Sequence, residues 1–159
     1  MATPTYVPLA TITLASGDND VTFSSIPATY RDLIIVVNGL GVGTGTLALR
    51  YNGDTGSNYS FVRMIGYSVG TLSTNATGQT YIMSADYSST EQHATIIQVM
   101  DYSATDKHKT NLTRSNRAGT WTFGIAGRWA NTAAVTSVNL VAISTNFAIG
   151  STFSLYGVN

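Results

Sequence analysis

Residues 121–129 read WTFGIAGRW, and large apolar side chains alternate in this stretch with small or polar ones. The odd positions hold Trp121, Phe123, Ile125, Gly127 and Trp129, and the even positions hold Thr122, Gly124, Ala126 and Arg128. Because successive side chains of a β-strand point to opposite faces, a period of two predicts a strand with one buried face. The stretch therefore predicts a sheet that covers a core on one side.

The same period of two recurs along most of the chain. Further strands are predicted at 9–14, 21–23, 33–37, 47–51, 61–65, 80–83, 95–100, 108–116, 138–142 and 153–156. The polar composition of 108–116 favours an edge strand, whereas 61–65 is expected to be buried on both faces except at Arg63. Turn-forming residues such as Asn52-Gly53-Asp54 separate the strands.

The number and spacing of these strands indicate the fold class. No window of about a dozen residues keeps the helical period of 3.6, and many short strands without crossover helices predict an all-β fold. We expect an antiparallel β-sandwich that is jelly-roll-like. It would form a single domain over residues 9–159, preceded by an extended N-terminal arm over residues 1–8 that contains Pro4 and Pro8.

The chain carries few charges. Asp, Glu, Lys and Arg make up 10% of the residues, against roughly 25% in an average soluble domain, and the formal net charge is zero. Without a long-range electrostatic field, neither nucleic acid nor a membrane is expected as a partner. So few charges also leave little repulsion between copies, which indicates a chain that packs against its neighbours.

The sequence offers no sign of disulfides or of targeting. It contains no cysteine, which excludes disulfides and thiolate metal sites. Residues 1–5 lack the basic and apolar regions of a signal peptide, and apolar runs such as 33–37 are too short to span a bilayer. We therefore expect a protein that is made in a cytoplasm.

No motif predicts catalysis or a cofactor. The glycine-rich segment 39–45 precedes a strand pattern, so it lacks the helix N-terminus that a phosphate site needs. Glu91 is the single glutamate, and no Gly-x-Ser-x-Gly nucleophile motif occurs. The chain is thus predicted not to be an enzyme and to have no catalytic residues, no cofactor-binding residues and no cofactor.

Candidate metal ligands are scattered along the chain. His93 and His108 lie far apart, although Glu91 would share a strand face with His93, and Asp86 or Asp101 could add a third ligand. Isolated histidines on polar strands are usually surface residues, and we interpret both in that way. No metal site is predicted.

Other polar and aromatic clusters also have ordinary interpretations. Residues 18–20 and 52–54 offer oxygen ligands for calcium, but they lack the twelve-residue calcium loop and are interpreted as turns. The cations of 106–109 and 114–117 are interpreted as part of a solvated loop rather than a basic patch. The aromatic residues Tyr59, Tyr67, Tyr81, Tyr87, Tyr102, Trp121 and Trp129 are expected mostly in the core, with one or two at an interface.

Four stretches together resemble a group of small structural proteins of tailed bacteriophages. They are VTFSSIPATYRDL at 21–33, LRYNGDTGSNYS at 49–60, WANTAAVTSV at 129–138 and NFAIGSTFSLYGV at 146–158. In order and spacing the resemblance covers the chain from about Ala10 to its end, and 66–117 matches less clearly. The resemblance implies a jelly-roll β-sandwich module of a phage head or tail.

The resemblance also implies a function. Because the chain is short, sparsely charged and without a coiled-coil shaft, we favour a capsid decoration or cement protein that binds the outside of the assembled head and stabilises it. Its partners would be the major capsid protein and itself, as a homotrimer or a dimer. It would lie on the outer surface of the virion head after synthesis in the host cytoplasm. The alternative is a tail or fibre module that binds host-surface glycans.

Overall fold

The computed structural model describes residues 4–159, which form twelve β-strands. They are β1 (Tyr6–Thr13), β2 (Asp20–Phe23), β3 (Asp32–Gly39), β4 (Gly45–Tyr51), β5 (Tyr59–Tyr67), β6 (Gly70–Gln79), β7 (Ile82–Tyr87), β8 (His93–Met100), β9 (Lys109–Arg117), β10 (Trp121–Trp129), β11 (Val138–Ile143) and β12 (Thr152–Val158). This part of the chain contains no helix with the length and apolarity needed to cross a membrane.

The strands form two antiparallel sheets. One has eight strands in the order β1-β12-β3-β8-β9-β10-β5-β6, and the other has four in the order β2-β11-β4-β7. Strands β1-β12-β3-β8 and β2-β11-β4-β7 together make the two four-stranded sheets of a jelly roll. Strands β9, β10, β5 and β6 extend the first sheet beyond β8. The predicted jelly-roll-like antiparallel β-sandwich is confirmed.

The core lies between the two sheets. Leu33, Ile35 and Val37 alternate along β3 and are fully buried, and Leu47 and Leu49 of β4 belong to the same core. Burying a side chain of this size contributes about 1.5–3 kcal/mol to folding. Alternation in the sequence therefore identifies which side chains of each central strand face the core.

The extension shares this core through β7. Strand β7 lies at the edge of the smaller sheet and contacts β9, β10 and β5. The two meet tightly at Gly127 of β10, where an added Cβ would lie 2.7 Å from Cγ2 of Ile82 in β7. Glycine thus interrupts the apolar series of 121–129 where two strands from different sheets meet.

The prediction of an edge strand at 108–116 is wrong. Strand β9 lies inside the eight-stranded sheet, between β8 and β10. Its polar inner-face side chains are buried and bond to other polar groups: Ser115 Oγ lies 2.6 Å from Thr95 Oγ1, and Asn111 donates to Thr113 Oγ1 at 3.1 Å. Such hydrogen bonds let polar residues occupy a covered face, which composition alone does not reveal.

The prediction that 61–65 is buried on both faces is also wrong. Met64 is 68% exposed and Val62 is 51% exposed, while Ile65 is buried. Strand β6, which was not predicted because its residues are small and polar, pairs with β5 on one side. No sheet in residues 4–159 covers the outer face of β5, so its apolar residues there face outward.

The predicted N-terminal arm lies only partly in the described part of the chain. Residues 1–3 fall outside it. Tyr6, Val7 and Pro8 begin β1 and pair with Val158, Gly157 and Tyr156 of β12. The first strand therefore starts three residues before the boundary that the alternation suggested.

Candidate binding face on the eight-stranded sheet

Two rows of side chains cross the outer face of the eight-stranded sheet. Strand register places Tyr156, Ile34, Gln98, Leu112, Ala126 and Val62 in the first row, from β12 to β5. It places Ser154, Val36, Ile96, Arg114, Gly124 and Met64 in the second row. We call these twelve residues the outer rows. Most of them are apolar, although they point away from the core.

The outer rows arise from strands that are apolar on both faces. In β3, Ile34 and Val36 alternate with the buried Ile35 and Val37, and in β8 Ile96 precedes the buried Ile97. Strands with this pattern are usually covered on both sides. The rest of residues 4–159 leaves much of this face open.

Small residues in β10 deepen the face into a groove. Ala126 lies between Leu112 of β9 and Val62 of β5, and Gly124 lies between Arg114 and Met64 of the same strands. The groove has a volume of about 950 Å³, and Tyr6 and Tyr156 line one end of it. Because neighbouring strands lie about 4.8 Å apart, the six strands from β12 to β5 give it a length of roughly 24 Å.

A single charged side chain lies within the outer rows. Arg114 makes no ion pair or side-chain hydrogen bond with any other residue of 4–159, and Arg128 lies beyond the rows on the same face. By contrast, Arg117 on the same strand lies 3.0 Å from Glu91, without hydrogen-bond alignment, and 5.6 Å from the ring centre of Trp121. Arg114 is thus a free cation beside an apolar groove.

The acidic groups near this face are already engaged. Asp32, on β3, is buried and accepts hydrogen bonds from the side chain of Gln98 at 3.3 Å and from the backbone of Asp101 at 3.0 Å. No other strand residue on the outer face of the described sheet is acidic. The face is therefore apolar along its middle, with a positive charge that a partner could neutralise.

The possible metal ligands named in the sequence do not lie together. Within residues 4–159, no group of three His, Asp or Glu side chains could hold a metal ion. His93, interpreted from the sequence as a surface residue, is buried and stacks on Tyr87 with ring centres 5.7 Å apart. Burial lowers the pKa of His93 to about 4. His93 is therefore a neutral core residue at pH 7, whereas His108 is exposed.

The acidic turns bond to their own loops. The backbone of Asp20 donates to Asp18 Oδ1 at 3.2 Å, and the hydroxyl of Thr22 donates to Asp20 Oδ1 at 2.8 Å. Asp54 is engaged in the same way with residues of the 52–58 turn and with Trp129. The interpretation of 52–54 as a turn is confirmed, whereas Asp18 forms a β-bridge with Phe147 and Asp20 begins β2.

The cations of 106–117 do not form a basic patch, but their interpretation as a solvated loop holds only before β9, because Lys109, Arg114 and Arg117 belong to that strand. Lys107 pairs with Asp101 at 3.4 Å, as expected of a solvated loop. Lys109 is buried and donates to the carbonyls of Lys107 at 2.8 Å and Thr132 at 3.2 Å, and burial lowers its pKa. Arg114 and Arg117 point to opposite faces of β9, which leaves Arg114 alone on the outer one.

The aromatic residues singled out in the sequence lie mainly inside. Tyr59, Tyr87, Tyr102, Trp121 and Trp129 are buried, Tyr81 is half-buried and Tyr67 is exposed. The outer rows were not recognised as a site from the sequence. The available signal was the apolar residue at every position of 33–37, which a strand with one solvated face does not need.

Comparison with known proteins adds little to this description. No family model matches the chain, and no curated protein matches it. Among solved structures, a mutant alginate lyase in complex with an alginate trisaccharide is similar at 8% sequence identity and a TM-score of 0.35, covering 99% of this chain and 100% of that one. A likeness this distant assigns neither a family nor an activity to this chain.

Proposed function

We propose that this protein is a bacteriophage virion structural protein, a capsid decoration or cement protein that binds the outside of the assembled head through the outer rows. The observation that carries this proposal is the open apolar groove with the unpaired Arg114 at its side. As a binding protein it needs no catalytic centre, and we assign it none.

The physical support comes from what the groove exposes to water. Leu112 is 53% exposed, Val62 lies opposite it across Ala126, and Met64 lies beyond Gly124 in the neighbouring row. Contiguous apolar surface on a folded domain marks an interaction site, because each Å² removed from water contributes about 25 cal/mol. A partner that fills the groove gains this free energy without rearranging the strands.

Arg114 specifies the chemistry of the partner. A guanidinium that becomes desolvated in an interface needs an anionic group opposite it. We therefore propose an extended, apolar segment of the major capsid protein that carries a carboxylate facing Arg114. At about 3.3 Å per residue, roughly seven residues in extended conformation would span the groove.

Stabilisation of the head follows from selective binding. A ligand that binds only the assembled, expanded shell stabilises that state by about 2.7 kcal/mol per site when its free concentration is 100 times the dissociation constant. Many sites on one shell add such contributions. A small domain can thereby strengthen a capsid without any chemical step.

The alternative, a tail or fibre module that binds host-surface glycans, is favoured by one observation. Tyr6 and Tyr156 line one end of the groove, and aromatic rings of this kind can stack on sugars. The rest of the groove is mostly aliphatic, however, and Gln98 is its one side-chain amide. Sugar hydroxyls need more hydrogen-bond partners than this surface supplies, which favours a protein partner.

The decisive experiment counts copies bound to undecorated expanded capsids, unexpanded capsids and host cells. Gly124→Trp places an indole in the groove, at a position where an added Cβ meets nothing within 4 Å. Thr105→Trp, at an exposed loop position, is the matched control. We expect stoichiometric binding to expanded capsids that Gly124→Trp abolishes and Thr105→Trp preserves. Binding to host cells alone would support the tail alternative, and binding to neither would overturn both.

A further inference from the structure

The four edges of the two sheets differ in how they are protected against pairing with other strands. Strand β1 contains Pro8 and a register shift between Pro8 and Ala10, and β2 is only four residues long. Strand β7 has an irregularity opposite Leu47 and Ala48 and lies against the extension. Short strands, prolines and bulges are the usual means of preventing edge-to-edge association. Three edges therefore carry such a device.

The fourth edge, β6, has neither charge nor proline, and its one register shift lies near its C-terminal end, between Ala76 and Gln79. Its ten residues, GTLSTNATGQ, are uncharged, and most are exposed. Residues 71–76 pair with β5 in continuous register, so the backbone groups on their other side remain free over a stretch of about 20 Å. A regular, uncharged edge of this length is a template for another strand.

Exposed apolar side chains concentrate on the same hairpin. Large hydrophobic residues with high exposure on β5, β6 and their connection are Val62, Met64, Tyr67, Val69 and Leu72. Val69, at the tip, is 94% exposed. The hairpin lies at the end of the sheet with apolar surface next to a free edge, which is unfavourable for an isolated domain in water.

The sequence of β6 is nearly symmetric about Thr74. Within the regular stretch, Leu72 corresponds to Ala76 and Ser73 to Asn75. Gly70 and Thr71 match Gly78 and Thr77 in sequence, but the latter two lie at the register shift. The inner-face residues Leu72, Thr74 and Ala76 lie opposite Ile65, Arg63 and Phe61 of β5, and the outer-face residues Ser73 and Asn75 lie opposite Met64 and Val62. If two β6 strands pair antiparallel about Thr74, Leu72 of one copy lies opposite Ala76 of the other, and Ser73 lies opposite Asn75. Apolar residues thus meet apolar residues, and polar residues meet polar ones.

We infer that β6 pairs with the β6 of a second copy of this chain, antiparallel and across a two-fold axis that passes near Thr74. The free edge provides the hydrogen bonds, and the near-symmetric sequence provides matching cross-strand neighbours. Every facing pair is uncharged, and the zero net charge of the chain adds little repulsion. The two eight-stranded sheets would then continue into each other, and both sets of outer rows would lie on one face of the dimer.

The test uses charges at two positions that face each other only in this register. In the double variant Ser73→Lys with Asn75→Lys, each lysine lies opposite a lysine of the other copy. In Ser73→Lys with Asn75→Glu, each lysine lies opposite a glutamate. Thr13→Lys, at an exposed position on the β1 edge, is the matched control. Sedimentation equilibrium measures the mass of each variant, and circular dichroism confirms that each has folded.

We expect a dimer for the wild type, the control and the lysine–glutamate variant. The lysine–lysine variant should dissociate with a dissociation constant raised at least about tenfold, because like charges directly opposite one another are destabilising. A monomeric or trimeric wild type would overturn the inference. So would a folded lysine–lysine variant that keeps the wild-type dimer mass, or a lysine–glutamate variant that dissociates to the same extent. None of these masses depends on whether the protein binds a capsid.

Discussion

The indole nitrogen of Trp129 donates a hydrogen bond of 2.7 Å to Oδ2 of Asp54. The same carboxylate accepts hydrogen bonds from the side chain of Asn58 at 2.8 Å and from the backbone of Gly56 at 2.7 Å. Trp129 ends β10, and Asp54 lies in the turn between β4 and β5. The contact thus joins the extension of the large sheet to the smaller sheet of the jelly roll.

This relationship predicts that Asp54→Ala is destabilising. The substitution leaves the Trp129 N–H without its acceptor and releases the turn, and hydrogen bonds to charged groups contribute about 1.5–3 kcal/mol each. We expect the free energy of unfolding, measured in urea, to fall by about 2 kcal/mol. Asp106→Ala, in an exposed loop, should leave it unchanged. Equal stability of the two variants would show that the contact contributes nothing.

The buried His93 predicts a loss of stability in mild acid. Its pKa is lowered to about 4 by burial, whereas in the unfolded chain it lies near its ordinary value of 6.5. The unfolded state therefore binds more protons between these values, and stability falls as the pH drops from about 6.5 to about 4. This difference between the pKa values of the folded and unfolded states corresponds to about 3 kcal/mol in the free energy of unfolding.

Urea unfolding of two histidine variants checks this prediction across that pH range. His93→Phe keeps an aromatic ring beside Tyr87 but removes the titrating group, so its stability should change much less between pH 6.5 and pH 4. His108→Gln, at an exposed position, should keep the wild-type pH dependence. If His93→Phe loses as much stability as the wild type, other groups cause the loss. Burial raises the pKa of Asp54, but the hydrogen bonds from Trp129, Asn58 and Gly56 outweigh burial and leave this pKa below its ordinary value. Asp54 therefore adds to the loss of stability of the wild type only at lower pH.

Two glycines of β10 are predicted to respond differently to alanine. A Cβ at Gly127 would lie 2.7 Å from Ile82 Cγ2 and would also meet Asn111 Oδ1, so Gly127→Ala should cost about 1–3 kcal/mol by overpacking. At Gly124 an added Cβ meets nothing within 4 Å, so Gly124→Ala should change stability by less than about 0.5 kcal/mol. Thermal unfolding of both variants under one condition distinguishes them. Similar melting temperatures would contradict the close approach of β7 to the extension.

The unpaired Arg114 is predicted to dominate the electrostatics of capsid binding. Arg114→Glu places like charge opposite the proposed carboxylate, so we expect capsid affinity to fall at least about tenfold, and Arg114→Lys to lose less. Lys107→Glu, which changes charge equally in an exposed loop, is the control. Binding isotherms at two salt concentrations measure the effect. If Arg114→Glu binds capsids with unchanged affinity, the partner does not carry a carboxylate opposite Arg114.

Much of the architecture could be predicted from the sequence, while the candidate site could not. Alternation in 121–129 and 47–51 located β10 and β4, because period two reflects only local backbone geometry. The same reasoning missed β6, whose small polar residues bury little surface. It also misplaced β9 as an edge strand, since its buried polar residues gain hydrogen-bond partners from β8 and from β9 itself.

The sequence by itself determined that the chain is all-β, because alternation and turn residues act between neighbours along the chain and need no tertiary contact. Only the tertiary structure decided which apolar faces are covered. Ile34, Ile96 and Met64 are as apolar as core residues, yet strand order places them on the face of the large sheet that the smaller sheet does not cover. Burial depends on which strands become neighbours in space, and that pairing is long-range.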